Sequence, residues 1–162
     1  MRAIESIPKK IQNLLALKAT VASWRATGKT IAFTNGCFDI LHEGHIFSLS
    51  QAAKEADYLI VGVNSDTSIQ RLKGPNRPIN KEQSRALILA SLAIIDAVII
   101  FEEDTPLTLI ELLMPDTLVK GGDYTIDQIV GSKEVIANGG KVVINPIITG
   151  FSTTNIIDQI KR

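Results

Sequence analysis

The chain has 162 residues, 45% of them hydrophobic and 21% charged, and its 17 basic and 17 acidic residues give a formal net charge of zero. This length and composition predict one globular domain over residues 1–162 with a sizeable core, and the lack of a basic surplus argues against nucleic acid as a partner. No apolar run reaches transmembrane length, the N-terminus lacks a signal-peptide core and a single cysteine excludes an internal disulfide, so we expect no membrane partner and a cytoplasmic location.

The first part of the chain predicts two helices and two strands. Helical spacing of apolar residues indicates a helix over residues 11–26, ended by Gly28. Residues 30–34 are predicted as the first strand, and an amphipathic run that ends near residue 56 is predicted as the second helix. Residues 58–63 form a continuous apolar run, which is typical of a strand covered on both faces in a parallel sheet.

The second part continues the alternation of strands and helices. Residues 69–80 carry two prolines, a glycine and several basic side chains, and we predict a mobile basic loop there. Asn80 and Thr105 are predicted N-caps, the latter followed by proline at the first helical position. The remaining predicted helices are 82–93, 106–113, 127–138 and 155–161, and the remaining strands are 97–101, 117–119 and 141–145. The pattern predicts an α/β domain with a five-stranded parallel sheet flanked by helices.

Unusual polar loops follow several of these strands. Ligands of parallel sheets bind beyond the carboxyl ends of the strands. Residues 35–36, 64–66 and 120–123 come directly after strands, and residues 152–154 begin the helix that follows the fifth strand. We therefore expect the chemistry of the protein at one edge of the sheet.

The stretch of residues 34–45 carries the strongest signal. It runs from a strand into a helix and contains both histidines of the chain, His42 and His45. Residues three apart share one face of a helix, so the two imidazoles would point the same way at a helix N-terminus, where unpaired N–H groups attract anions. Gly44 has no side chain to obstruct a phosphate. We predict a phosphate site; a zinc site is not expected, because a third ligand is missing.

Other residues near this stretch are candidates for contact with the ligand. Cys37 is expected to be a small neighbour of the ligand. Lys73 and Arg77 either close over phosphates as a cationic lid or belong to a solvated loop. Arg85 either reaches the same phosphates or is an exposed surface arginine.

The remaining candidates also stay open. Residues 120–123 either cradle a nucleotide or form an ordinary turn between strand and helix. Residues 152–154 offer hydroxyls and amides that suit a phosphate, but simple N-capping explains them as well. Asp39 and Asp66 either position the lid or a metal, or are turn or cap residues.

The stretch Asn35-Gly36-Cys37-Phe38-Asp39-Ile40-Leu41-His42-Glu43-Gly44-His45 resembles the His-x-Gly-His signature of the cytidylyltransferase-like nucleotidyltransferases. The resemblance implies a Rossmann-like nucleotidyltransferase fold, with residues 1–28 as an N-terminal helical extension and residues 29–162 as the catalytic core. It also implies transfer of a nucleoside monophosphate to a phosphorylated acceptor with release of pyrophosphate.

Within that superfamily the chain is most similar to the adenylyltransferase domain of ADP-heptose synthesis. The more specific segments are Val119-Lys120-Gly121-Gly122-Asp123-Tyr124 and Ser152-Thr153-Thr154-Asn155-Ile156-Ile157. The similarity implies ATP, a sugar 1-phosphate (D-glycero-β-D-manno-heptose 1-phosphate), Mg²⁺ carried by the nucleotide phosphates, a separate heptose kinase, a homodimer and a place in lipopolysaccharide biosynthesis. The alternative is an enzyme like glycerol-3-phosphate cytidylyltransferase, which uses CTP; the arginine that precedes Ser-Thr-Thr in that family is missing from residues 148–151.

These considerations assign roles to particular residues. We predict His42, His45 and Lys73 as catalytic. Substrate or lid contacts are predicted for Asp39, Asn64, Asp66 and Arg77. The predicted nucleotide-binding residues are Asn35, Gly36, Cys37, Phe38, Gly44, Arg85, Lys120, Gly121, Gly122, Asp123, Ser152, Thr153 and Thr154.

Overall fold

The computed structural model describes residues 3–146, 150 and 152–160. Their strands form one sheet in which all neighbours are parallel, with the order β3-β2-β1-β4-β5. This confirms the predicted five-stranded parallel sheet. The strands are β1 Ile31–Gly36, β2 Tyr58–Asn64, β3 Ala97–Phe101, β4 Thr117–Gly121 and β5 Lys141–Asn145.

Helices cover both faces of this sheet. They are α1 Leu14–Ala26, α2 Glu43–Ala53, α3 Asp66–Lys73, α4 Glu82–Ala90, α5 Leu107–Leu113, α6 Ser132–Ala137 and α7 Thr153–Ile160, with 3₁₀ turns at Ala3–Glu5, Pro8–Lys10 and Ile126–Gln128. None of the helices in the described part of the chain is long and apolar enough to cross a membrane.

The buried side chains divide into two clusters, one on each face. Leu17 of α1 and Ile110 of α5 pack with Phe33 of β1 on the first face. Leu49 of α2 and Leu89 of α4 belong to the cluster on the second face. The alternation of strand side chains between the two clusters follows from the two-residue period of a strand.

The basic segment differs from its prediction. Residues 69–73 are not a loop but the second half of helix α3. Ser65 caps this helix by accepting a hydrogen bond from the backbone N–H of Ser68. Ile69, a residue of the same helix, is completely buried. The helix ends at Gly74, whose φ of 95° suits glycine. The proline-rich remainder, residues 75–80, contains no helix or strand.

Other element boundaries also differ. Lys81 rather than Asn80 occupies the N-cap position of α4, because the Asn80 side chain donates to the backbone carbonyl of Asp39 at 2.6 Å. Pro106, not Thr105, occupies the N-cap position of α5. The predicted helix over residues 127–138 is split by Gly131, which has a φ of 85°. Helix α1 begins after Asn13, whose side chain caps it, and Gly28 follows its end as predicted.

Candidate active site

A cavity of about 660 Å³ opens at the carboxyl edge of the sheet. The ends of β1, β2 and β4 and the first turn of α2 line it, which is the edge that the sequence predicts. The predicted residues that line this cavity are Asn35, Gly36, Cys37, Phe38, His42, Gly44, His45, Asn64, Lys73, Lys120, Gly121 and Gly122.

The turn between β1 and α2 presents the helix N-terminus to the cavity. Phe38 adopts a left-handed φ of 48° and is 8% exposed, so its ring is directed inward beneath the turn. His42 is the N-cap residue, with extended backbone, and its carbonyl accepts the N–H of His45 at 2.9 Å. A helix N-terminus that lines a cavity is a ready-made anion site.

The two histidines lie face to face in this first turn. Their rings are stacked, with centroids 3.8 Å apart and planes inclined by 26°. Burial, followed by repulsion from His42 and Lys73, lowers the pKa of His45 to about 4, and burial also lowers the pKa of His42. His45 Nδ1 is buried and has no hydrogen-bond partner among the described residues. The pair is therefore neutral near pH 7, and a polar atom of His45 is available to a ligand.

Two lysines bring positive charge to the same cavity. Lys73 is the last residue of α3 and acts on His45 through its charge. Lys120, near the end of β4, is half-buried, and its Nζ lies 3.4 Å from Asn35 Oδ1. Burial lowers the pKa of Lys120 from its usual value. The cavity therefore combines two imidazoles, two ammonium groups and free helix amides.

Asp39 and Arg77 are not among the residues that line the cavity. The Asp39 carboxylate is 2% exposed and accepts hydrogen bonds from Arg77 Nε and from the backbone N–H groups of Ile79 and Asn80. Burial alone would raise the pKa of Asp39, but these N–H groups and Arg77 together lower it below its usual value. Asp39 thus anchors the segment that follows α3.

Arg85 is not an exposed arginine, so that alternative is wrong. It is completely buried, and its guanidinium donates to the backbone carbonyls of Cys37, Asn64 and Asn80 and to the carboxylate of Asp66, at distances of 2.7–2.9 Å. A side chain with no exposed surface does not reach a ligand in this conformation, so the geometry does not support a phosphate contact. Arg85 instead joins the ends of β1 and β2 to the start of α4.

The described residues do not build a metal site. They contain no group of three or more His, Cys, Asp or Glu side chains that could hold a metal ion. The two aspartates considered for this role are engaged elsewhere, Asp39 with the 77–80 segment and Asp66 with Arg85. A protein-built Mg²⁺ cage therefore does not fit these residues.

Besides Arg85, four predicted nucleotide-binding residues lie outside the cavity lining. Asp123 is exposed on the loop after β4. Ser152 accepts the backbone N–H of Asn155 at 3.0 Å, as an N-cap does, and the Thr153 hydroxyl donates to the carbonyl of Ile40 at 3.3 Å. Thr154 is exposed. The residues 147–149 and 151, which include most of the segment that separates the two acceptor alternatives, lie outside the described residues.

The cavity also has lining residues that the sequence analysis did not select. The loop between β3 and α5 begins at the carboxyl edge of the sheet, as the other lining loops do. The alternation of parallel strands and helices could therefore have indicated that this loop lines the cavity. The 128–130 segment gave no comparable signal, because it follows the 3₁₀ turn Ile126–Gln128 and not the end of a strand. The unselected residues are Thr34, Ser48, Leu49, Leu72, Asp104, Thr105, Pro106, Leu118, Tyr124, Gln128, Ile129, Val130 and Pro146.

Comparisons with known proteins agree with this geometry. The family model described as cytidylyltransferase-like matches residues 33–159. The chain is 55% identical over 150 residues to the "Bifunctional protein HldE" of Caulobacter sp. (strain K31) and 58% identical over 142 residues to the protein of the same name from Hyphomonas neptunium. These matches cover 93% and 88% of this chain but only 31% and 29% of the relatives, so the chain spans less than a third of their length.

A solved structure agrees as well. The lipopolysaccharide core biosynthesis protein from Thermoplasma volcanium GSS1 is 31% identical and superimposes with a TM-score of 0.61, covering 75% of this chain and 98% of that one. The histidine pair at the first turn of α2, the sheet order and the family match over most of the chain lead to one conclusion. The chain belongs to the cytidylyltransferase-like family of nucleotidyltransferases.

Proposed function

We propose that this chain transfers AMP from ATP to D-glycero-β-D-manno-heptose 1-phosphate, with ADP-heptose and pyrophosphate as products. The observation that carries the proposal is the stacked pair of His42 and His45 at a helix N-terminus that lines the cavity, with Lys73 beside it. A triphosphate needs positive charge and N–H donors. Lys73, at the end of α3, offers the charge, and the first turn of α2 offers the N–H groups.

The reaction requires little covalent chemistry from the protein. An oxygen of the acceptor phosphate attacks the α-phosphorus of ATP, a new P–O bond forms, and the bond from the α-phosphorus to the oxygen that bridges to the β-phosphate breaks. Pyrophosphate carries the electron pair away, and no enzyme nucleophile is needed. Catalysis then consists of holding the two phosphates in line and stabilising the charge that develops.

The lining residues divide this work. His42, His45 and Lys73 are assigned to the triphosphate, where they stabilise charge on the α-phosphorus and on the departing pyrophosphate. Gly44 in the first turn of α2 leaves the backbone amides open to the phosphates. Gly36, Gly121 and Gly122 are assigned to the nucleotide, for which they leave room at the ends of β1 and β4.

We propose that Mg²⁺ reaches the cavity on the triphosphate. This accords with the absence of a metal-binding group among the described residues and with the preference of Mg²⁺ for phosphate oxygens and water. Bound there, the ion supplies charge neutralisation, and no step of the reaction is assigned to it. Contacts of Asp123 and of residues 152–154 with the nucleotide belong to the same proposal.

The heptose acceptor is supported by the segments 119–124 and 152–157, whose sequences resemble those of the ADP-heptose branch of the superfamily more specifically than the His-x-Gly-His motif does. It is supported further by the identity of 55% and 58% to proteins named HldE and by the likeness to a protein named for lipopolysaccharide core biosynthesis. The competing assignment is CTP with glycerol 3-phosphate.

A matrix of nucleotides against acceptors tests the proposal. Purified protein is supplied with ATP or CTP, each with heptose 1-phosphate or glycerol 3-phosphate, and pyrophosphate release is followed. We expect ATP with heptose 1-phosphate to be the fastest pair by far. A faster reaction with CTP and glycerol 3-phosphate would replace this assignment with the cytidylyltransferase. Tight ATP binding without pyrophosphate release from any acceptor would indicate a nucleotide-sensing module instead.

A further inference from the structure

Lys120 points to the opposite side of the sheet from the histidine helix. Its neighbour Val119 belongs to the cluster that contains Leu49 of α2, whereas Leu118 belongs to the cluster beneath α1 and α5. Strand side chains alternate, so Lys120 lies on the Leu118 side. Its contact with Asn35 agrees, because Asn35 shares its side of β1 with Phe33 of the same cluster.

The ammonium group of Lys120 has no carboxylate partner. Among the described residues, none of the ion pairs includes Lys120. In the part of the chain that the structure describes, its hydrogen bond goes to the neutral amide of Asn35 at the long distance of 3.4 Å. Lys120 is half-buried, and the acidic group that acts on its charge is the thiol of Cys37, not a carboxylate. An ammonium group that is partly removed from water is stabilised by a counter-ion. The missing negative charge is therefore expected to come from a ligand in the cavity that Lys120 lines.

This anion differs from the triphosphate in the proposed reaction. His42, His45 and Lys73 lie together, since both His42 and Lys73 act on His45 through their charges. An in-line displacement places the attacking oxygen and the leaving pyrophosphate on opposite sides of the α-phosphorus. The ammonium group of Lys120, on the other side of the sheet from α2, is thus available to the attacking phosphate.

We propose that Lys120 binds the phosphate group of the acceptor and thereby selects phosphorylated acceptors. The proposal rests on the proposed function, because it assumes a triphosphate at the histidine pair and a second, phosphorylated substrate. In this arrangement Lys120 offsets the repulsion between the two anionic substrates as they approach. It is a specificity-determining residue for the acceptor, and not a part of the nucleotide site.

The cavity wall around Lys120 suits the rest of a hydroxylated acceptor. Ile129 is in the same cluster as Leu118, so residues 128–130 lie on the Lys120 side. Tyr124 and Gln128 add neutral polar groups to this wall, and Val130 adds an apolar surface. A wall that combines neutral hydrogen-bonding groups with apolar surface fits the hydroxyl groups and the carbon skeleton of a sugar.

The decisive experiment compares Lys120→Met with the wild type in steady-state kinetics. Methionine keeps the length of the side chain and removes its charge. We expect the KM for heptose 1-phosphate to rise roughly 10- to 100-fold, the range for losing a charged hydrogen bond, while the KM for ATP stays within about 2-fold. Lys141→Met is the matched control, because Lys141 begins β5 at the other edge of the sheet and its side chain is 60% exposed.

Two further measurements distinguish a loss of acceptor binding from a loss of folding. Lys120→Arg keeps the charge and is expected to recover most of the acceptor affinity. In the wild type the KM for heptose 1-phosphate should rise with pH as the ammonium group loses its proton, earlier than for an ordinary lysine because burial lowers the Lys120 pKa. This rise should vanish in Lys120→Met. Thermal unfolding tests whether each variant is folded. If Lys120→Met does not fold, Lys120→Gln is used in its place.

An unchanged KM for the acceptor, or a KM for ATP that rises as much as that for the acceptor, would overturn the proposal. Failure of the proposed function has a different signature, because the wild type itself would then not turn over heptose 1-phosphate. In that case the same comparison is made with glycerol 3-phosphate and CTP. If no acceptor is turned over, calorimetric binding of heptose 1-phosphate to the wild type and to Lys120→Met decides the question, with equal affinities contradicting the role.

Discussion

The ring of Phe38 lies against the imidazole of His45, with centroids 5.4 Å apart and planes inclined by 59°. Phe38 is held there by the left-handed backbone of the β1–α2 turn. His45 thus contacts both the ring of Phe38 and the stacked ring of His42. This enclosure is the physical cause of its low pKa, since a protonated imidazole would lose water and lie beside a second histidine.

The low pKa of His45 predicts a pH dependence of stability. The folded pKa is about 4 and the ordinary value is 6.5, so between these pH values only the unfolded chain binds the proton. The free energy of unfolding therefore falls as the pH is lowered from 6.5 toward 4. We expect His45→Gln to lose less stability than the wild type over this interval, measured by urea unfolding at several pH values. Parallel curves for the two proteins would contradict the assigned pKa.

Loss of either imidazole should impair turnover more than folding. We expect His42→Ala and His45→Ala each to lower kcat by about 10²-fold or more, the scale for losing a preorganised group that stabilises developing charge. Pyrophosphate release at saturating substrates measures the effect, and circular dichroism confirms the fold. Gln51→Ala on the same helix serves as control, because Gln51 does not line the cavity. Near-normal kcat in both histidine variants would remove their proposed role.

The sheet and the histidine motif were predictable from sequence because their signals are local. A strand such as β2 is a continuous apolar run, and the spacing of His42 and His45 is itself a helical period. The prediction of secondary structure failed at residues 69–73, where the signal for a loop was stronger than the signal for a helix. The prolines and glycine after Lys73 indicated a loop, and they concealed the capping of α3 by Ser65 and the burial of Ile69.

The environment of Arg85 could not be predicted in this way. Its acceptors at Cys37 and Asn64 come from positions 48 and 21 residues away along the chain. No spacing rule connects such positions, because they meet only when the ends of β1 and β2 are brought together in the sheet. The side of the sheet that Lys120 faces is a similar case, since it depends on the register of β4 against β1.

Asp39 is predicted to hold the segment between α3 and α4 in place. Asp39→Asn removes the charge that pairs with Arg77 and directs an NH₂ group toward backbone N–H groups that need an acceptor. We expect a loss of about 3 kcal/mol in the free energy of unfolding, the scale for breaking a buried ion pair, and a lower kcat/KM for ATP. The measurements are urea unfolding at pH 7 and initial rates.

The sign of the pH effect provides an internal check on Asp39. Its folded pKa lies below the usual 3.8, so its stabilising contribution is present above pH 3.8 and is lost as the pH falls through the folded value. The stability difference between wild type and Asp39→Asn should therefore shrink in acid. Asp57→Asn is a control for activity, because Asp57 pairs with Lys29 at the surface, away from the cavity. Equal kcat/KM in wild type and Asp39→Asn would argue against a lid anchored by Asp39.

Arg85 is predicted to be essential for the shape of the site and not for contact with phosphates. Arg85→Met leaves the carbonyls at Cys37, Asn64 and Asn80 and the Asp66 carboxylate without their buried donor, so we expect a loss of roughly 3–5 kcal/mol in the free energy of unfolding.

The control for this loss is Lys29→Met. Lys29 pairs with Asp57 at the surface, neither residue lines the cavity, and exposed pairs contribute little to stability. Urea unfolding of both variants, with and without ATP, distinguishes the two roles of Arg85. If Arg85→Met unfolded at the same urea concentration as the wild type and differed only in a raised KM for ATP, Arg85 would be a phosphate ligand, and the buried network would have to open when the nucleotide binds.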